Sequence, residues 1–454
     1  MIKTIIFPLI PILYILNLFL EKEIINIITM FLSITAIILS IMHTQALYKW
    51  SSLFFLFSGI LILIMYDLEI KEVITAFTPM MGLLGLFFAL PFLQAVIRLG
   101  KYDKSLNRLI KHRIQSIDGI YRRTSLCTYL LAIFLTIATL PIGIQSFNKL
   151  VPSISGQSKQ IFFTHSMLRA YSMALFWSPV ELLVVASIDQ LNADYLTIMP
   201  ILFIVSISYL LLDWLIQRKK YQLPIDNSSI ISQQKMAKND IKKITQLFTG
   251  IILLLILVIL TDLYLQEGLL ISIVLVIFPF SIIWIILLKK AKIYSLFLKK
   301  NMPTNIRNTQ NFNVLFLSAG FFITMIQYSS LFEWIRMLFI EQFHSMPLFV
   351  FLLLLMLSFW ALSFLGLHSV VTITLFAEIL QPMSSGLENT LALVFIGSTI
   401  SLLMVSPFNL ATAIMSNLIH ASPLKILRWN LGYAFFFSLL IVLISYSLLS
   451  FSFL

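Results

Sequence analysis

Trp177-Ser178-Pro179-Val180-Glu181-Leu182 recurs in outline as Val405-Ser406-Pro407-Phe408-Asn409-Leu410, about half the chain later. Each copy lies inside a long apolar segment. A proline there removes a helical N–H and clashes with the carbonyl one turn back, and each phrase also carries a polar side chain where a membrane helix should run unbroken. A second pair precedes them: Gly143-Ile144-Gln145-Ser146 and Gly366-Leu367-His368-Ser369. Two polar interruptions per half, in the same order, match the way an internal repeat builds a polar pocket at the bilayer midplane.

Composition sets the solvent in which such breaks matter. Of 454 residues, 59% are hydrophobic and 11% charged, with a mean hydropathy of +0.98. A soluble domain of this length carries far more charge, and apolar runs of 18 or more residues read as membrane helices. The chain is therefore all-α and polytopic. The single cysteine, Cys127, excludes an internal disulfide and a thiolate metal cluster. Met1-Ile2-Lys3 leads into apolar residues with no small-residue cleavage site, which predicts an uncleaved first helix. The net charge of +12 does not point to nucleic acid, because the cations cluster in loops beside membrane segments. There they fix orientation and can meet anionic lipid headgroups. No phosphate-binding glycine loop, dinucleotide fingerprint, zinc spacing or nucleophile elbow occurs, so neither ATP-driven transport nor a cofactor is expected.

Charge in the connectors orders the segments. Helices at about 5–20, 25–43, 48–66 and 73–99 are followed by the basic stretch 100–123, with Lys101, Lys104, Arg108, Lys111, Arg113, Arg122 and Arg123, hence cytoplasmic. Its stripe of Leu106, Ile110, Ile114, Ile117 and Tyr121 predicts an amphipathic helix on the inner surface. The linker 217–243 is basic again, so 124–216 starts and ends inside. That length suits a re-entrant hairpin at about 124–162 with its tip near Gly143, a broken crossing at about 163–188, and a helix at about 195–216. The second half, 244–454, follows the same plan upside down. Helices at 244–264 and 268–288 precede a basic loop over 289–307, a helix at 311–331 and an external arm with Glu333, Arg336, Glu341 and His344. A hairpin at 347–386, a broken crossing at 391–420 and a last helix near 430–450 complete it. The expected architecture is an extra helix (1–24) ahead of two inverted-topology repeats, 25–216 and 244–454. Each holds a re-entrant hairpin and a discontinuous helix.

The polar residues at these interruptions are the candidate site. A break frees carbonyls for cations, and half-helix N-termini favour anions. Ser178, Pro179 and Glu181 form one break, and Ser406, Pro407 and Asn409 the other; Ser146, Asn148, Ser369 and Thr372 belong to the hairpins. Glu181 is the ionisable group at depth, able to carry a proton or coordinate a cation, unless the break is shallow and it reaches water near Asp189. Lys149 and His368 are possible charge partners. Lys149 could neutralise an anionic solute, replace a bound cation, or instead snorkel or pair with Glu181. His368 sits in the second tip as a ligand or a hydrogen-bonding residue. His165 and Arg169, on the inner part of the first crossing, are expected to face water or headgroups. Phenylalanine-rich stretches such as Phe54-Phe55 and Phe435-Phe436-Phe437 are expected to face lipid or pack.

With those residues in view, the chain resembles the ion transporter superfamily, in particular its divalent anion:sodium symporter and citrate transporter branch. The likeness rests on 314–420: Ser318-Ala319-Gly320 in a helix, an arm, a hairpin, then Gly397-Ser398-Thr399 leading into Ser406-Pro407-Phe408-Asn409. It implies a dimeric elevator protein in which a scaffold holds a moving unit of hairpins and broken helices. It also implies sodium binding at hairpin tips, onto which Ser146 and Ser369 carry over. The family's Ser-Asn-Thr tips are replaced here by Ser146-Phe147-Asn148 and Ser369-Val370-Val371-Thr372. The expectation is thus a secondary transporter of a small anionic solute coupled to sodium or protons, not an enzyme. It would be a homodimer in the cell membrane with a cytoplasmic N-terminus and an external C-terminus, meeting solute and lipid but no nucleic acid. The alternatives are a polymerase or transferase acting on lipid-linked glycans, or a lipid-phosphate flippase. External connectors too short to hold a pyrophosphate-linked donor disfavour the enzyme.

Overall fold

The computed structural model describes residues 2–111, 116–148, 154–221 and 238–450, and their regular structure is helical, with no β-strand among them. In chain order the helices are α1 (Lys3–Leu20), α2 (Glu23–Ile41), α3 (Ala46–Met65), α4 (Ile70–Thr75), α5 (Met81–Gly100), α6 (Tyr102–Lys111), α7 (Ile117–Leu135), α8 (Thr139–Phe147), α9 (Gly156–Phe163), α10 (Ala170–Leu175) and α11 (Leu182–Leu191). The second half contributes α12 (Tyr195–Arg218), α13 (Lys238–Leu265), α14 (Leu269–Leu287), α15 (Ala291–Asn308), α16 (Gln310–Ile326), α17 (Ser330–Ser345), α18 (Leu348–Phe364), α19 (Ser369–Leu380), α20 (Glu388–Leu402), α21 (Leu410–Ile419) and α22 (Pro423–Ser450). Nine helical segments among the described residues are long and apolar enough to cross a membrane, and α15 and α16 meet at a bend of 46°. The chain is a multi-pass membrane protein.

Two compact units interleave along the chain. Unit 1 takes 1–96, 258–347 and 370–385; unit 2 takes 97–257, 348–369 and 386–454. Both halves of the sequence therefore contribute to both units. Within unit 1, α16 packs against α3 and α2. Gly59 permits the first contact: a Cβ there would stand 2.6 Å from the Phe321 ring. Phe55 and Phe322 stack beside it with centroids 5.4 Å apart. Phe55 is 2% exposed and its neighbour Phe54 61%, so one phenylalanine pair supplies both a packing surface and a lipid-facing one.

Three local expectations are corrected. The basic stretch 289–307 is not a loop but α15, whose inner face is anchored by Tyr294, the hydroxyl donating to the Phe92 carbonyl at 3.2 Å. Alanine, leucine and lysine are good helix formers, and a cationic stretch looks alike in sequence whether looped or helical. The amphipathic stripe of 100–123 is divided between two helices: α6 is described as far as Lys111, Ile114 lies outside the described residues, and Ile117 and Tyr121 belong to α7. Ser116 starts that helix by accepting from the Gly119 N–H at 3.1 Å. Arg108 on α6 binds both carboxylate oxygens of Asp240 through Nε at 3.0 Å each, tying the start of α13 to α6 within unit 2.

The third correction concerns the first hairpin. Helix α7 ends at Leu135, Thr136 takes φ 44° and ψ −126°, and α8 resumes at Thr139. Gly143, taken in the sequence as the tip, lies inside α8 and is buried, so the turn falls seven residues earlier. In the second half a break follows α18 at Gly366. Gly366 has φ 93°, a conformation that glycine adopts without a steric penalty, and α19 begins at Ser369. Thr136 and Gly366 each precede the next helix by three residues.

Candidate functional site in unit 2

Both broken crossings belong to unit 2, and they run antiparallel. Gln160 Nε2, on α9, donates to the carbonyls of Ile419 and His420 at 3.1 Å each, which puts the start of the first crossing beside the end of the second. At the other end, the Asp194 N–H donates to Asn389 Oδ1 at 2.8 Å, and between these ties α11 packs along α20.

The two breaks are built alike, the first entered through a bond three residues back and the second through one four residues back. In the first, Ser178 N–H bonds back to the Leu175 carbonyl at 3.1 Å, and Glu181 N–H closes a turn onto the Ser178 carbonyl at 3.1 Å. In the second, Ser406 N–H reaches the Leu402 carbonyl at 2.9 Å, and Asn409 N–H closes onto the Ser406 carbonyl at 3.2 Å. Each serine hydroxyl crosses to the preceding hairpin limb: Ser178 Oγ to the Ile133 carbonyl at 3.4 Å, Ser406 Oγ to the Ser363 carbonyl at 3.3 Å. Pro179 and Pro407 sit where an N–H would otherwise demand a helical partner. Glu181 and Asn409 then occupy the N-cap positions of α11 and α21 in extended conformation, and Asn409 Oδ1 accepts from Ala411 N–H at 2.9 Å. Each half-helix runs ten residues and ends on a left-handed residue, Asn192 with φ 52° and His420 with φ 52°. Ser178, Glu181 and Asn192 lie 228 positions before Ser406, Asn409 and His420 (406 − 178, 409 − 181, 420 − 192).

Hydrogen-bonded chains brace both crossings. Trp177 Nε1 donates to Tyr129 OH at 2.7 Å, and Tyr129 lies 2.8 Å from Ser206 Oγ. Ser206 spends its only proton on the Met173 carbonyl at 2.6 Å, so Tyr129 donates to Ser206. The chain joins hairpin limb α7, broken helix α10 and helix α12. Its counterpart runs from Trp360 on α18 to Ser438 on α22 at 3.2 Å and on to Ser401 on α20 at 2.7 Å. None of these residues stands out in the sequence, since buried serine and tryptophan are common in membrane helices.

The hairpin candidates fare differently. Ser146 lies within α8, its hydroxyl donating to the Ile142 carbonyl at 2.8 Å, and Asn148 is exposed at the end of that helix. Neither stands at the turn. The residue that occupies the position of Ser369 in the first hairpin is Thr139, fully buried, whose hydroxyl has no hydrogen-bond partner among the described residues. Ser369 is 7% exposed and Thr372 1%, while His368 is half-buried in the turn before them. Lys149 lies outside the described residues.

His165 and Arg169 do not face water. They lie in a stretch of π-helix, residues 164–169, a widened turn often found at functional positions, and are 7% and 6% exposed. Arg169 Nη1 donates to Asp213 Oδ1 at 2.7 Å, Nε to Asn430 Oδ1 at 3.0 Å and Nη2 to the Trp429 carbonyl at 3.3 Å. Tyr121 OH donates to the second Asp213 oxygen at 2.6 Å, and the guanidinium lies 4.4 Å from the Tyr433 ring centroid. His165 Nε2 meets the Trp429 carbonyl at 3.1 Å. The cluster ties α7, the π-turn, α12 and α22 together, with its ion pair fully compensated. Asp213 is the only acid of α12, and this was the available signal: lone opposite charges in two apolar segments pair.

The fold and this site define a polytopic membrane protein built around two antiparallel discontinuous helices in unit 2. Among solved structures, the chain is similar to the YdaH transporter of Alcanivorax borkumensis, whose topology is described as unusual. The TM-score is 0.62 at 15% sequence identity, covering 88% of this chain and 98% of that one, a likeness of fold. No protein-family model and no curated protein matches the sequence.

Proposed function

We propose that the chain is a secondary active transporter of a small anionic solute, working by elevator-type alternating access coupled to sodium or protons. The observation that carries this reading is the antiparallel pair of breaks, with Glu181 and Asn409 starting equivalent half-helices. Antiparallel equivalents are what an inverted repeat produces. The helix N-termini at the two breaks supply fixed positive ends for an anion, and Glu181 supplies a site for a cation or proton at one of them. The buried hydroxyls of Thr139 and Ser369, three residues past the two turns, extend the same site in place of Ser146. Unit 2 gathers the first hairpin, both broken helices and the limb leading to the second turn, which suits the moving body of such a carrier, with unit 1 as its scaffold.

The reading extends to placement. The protein would belong to the divalent anion:sodium symporter and citrate transporter branch, form a homodimer and keep its N-terminus in the cytoplasm. The hairpins would be re-entrant. The test is reconstitution in liposomes with sodium or proton gradients, offering carboxylates, oxyanions and lipid phosphates in turn. Glu181→Gln and Asn409→Ala should each abolish gradient-driven uptake while the purified protein keeps its helical content. Wild-type flux in both variants would remove the breaks from the transport pathway.

A further inference from the structure

We propose that the outward face of α15 is a docking strip for the headgroups of anionic phospholipids. The inference stands apart from the transport reading and concerns unit 1 alone. From Lys289 to Phe332 the chain carries six cations and no acidic residue. Folding sorts them. At 3.6 residues per turn, Lys292, Leu296, Lys299, Pro303 and Arg307 fall on one face, flanked by Ile293 and Lys300, and all seven are exposed. The face opposite is held by Tyr294 through the Phe92 carbonyl, which fixes the rotation of the helix.

Two features select a lipid surface over other polyanions. Large apolar side chains lie among the cations on the exposed face, Ile293 at 55% and Leu296 at 61% exposure. Nucleic acid or an acidic protein has little use for them, whereas a bilayer takes the apolar groups below the headgroups and the ammonium groups among the phosphates. In addition, Lys292, Lys299 and Lys300 form no ion pair among the described residues, and the guanidinium of Arg307 reaches only the Pro303 carbonyl one turn back, at 3.3 Å. The strip is about 22 Å long, from the 1.5 Å rise over fifteen residues.

The test uses the full chain, delipidated in detergent. Phosphatidylglycerol or phosphatidylcholine is added back, and native mass spectrometry counts the lipids retained. The unmodified protein should prefer phosphatidylglycerol and lose that preference toward 1 M salt, where screening acts within about 3 Å. Lys299→Gln should weaken the preference about fivefold, the equivalent of about 1 kcal/mol per cation at an anionic surface. The fourfold variant Lys292→Gln/Lys299→Gln/Lys300→Gln/Arg307→Gln should abolish it. A matched removal of Lys22, Lys49, Lys219 and Lys425 should leave it in place. Preference that survives the fourfold change overturns the proposal, and so does equal loss in the matched control, which would make net charge the cause. Should the fourfold variant fold poorly, Lys299→Gln and the salt series decide alone: an unchanged preference in either rejects the strip.

Discussion

Arg169 and Asp213 are 6% and 1% exposed, and each is tolerable only because the other is present. A single removal leaves the partner charged and buried, which costs about 3–5 kcal/mol, whereas exchanging both for apolar groups of similar volume is often close to neutral. Arg169→Ala and Asp213→Ala should therefore each lower the thermal midpoint of the purified protein by many degrees, and Arg169→Met/Asp213→Leu should recover most of that loss. Equal loss in the double variant would mean that Asn430 and Tyr121, not the ion pair, hold the cluster. At this scale the sequence was partly legible. The Ser-Pro phrases mark the breaks, but Arg169 reads as a cation facing water or headgroups, and its burial against Asp213 shows only in the fold. The first hairpin turn was not legible, because Thr136 adopts a positive φ without being glycine. Gly143 attracted the assignment instead, although its spacing to Gly366, 366 − 143 = 223, disagrees with the 228 of the breaks.

Among elements, the broken crossings are held by what packs against them. Helix α20 lies on α22 through Gly397, where a Cβ would stand 2.6 Å from Ile441 Cγ2 and 2.8 Å from its Cβ. Gly397→Ala should cost about 1–3 kcal/mol by overpacking. Ile441→Ala in the same chain should relieve the clash, so that the double variant falls short of the sum of the single losses. Strict additivity in thermal unfolding would place Gly397 outside a packed seam. Apolar run length foretold the spans well, since hydrocarbon thickness dictates it. It foretold α15 poorly. A basic stretch between spans satisfies the orientation rule whether it loops or coils, and only the buried side of α15, around Tyr294, separates the two.

For the whole molecule, the interleaving of two units along one chain was beyond reach of pattern alone. Hydrophobic periodicity reports how deep a segment lies, not which neighbour it joins. The repetition of a phrase did foretell equivalent parts, and their opposed directions in unit 2 appear as two ties, Gln160 to His420 and Asp194 to Asn389. The account stands or falls on whether those directions are opposed across the membrane as well. Cys127 is the only cysteine and is buried, so a Cys127→Ser background accepts single reporters. Asn192→Cys and His420→Cys place one thiol at the exposed end of each half-helix. With a membrane-impermeant maleimide on intact cells and on inverted vesicles, the account predicts labelling from opposite sides. Labelling of both from the same side would contradict it.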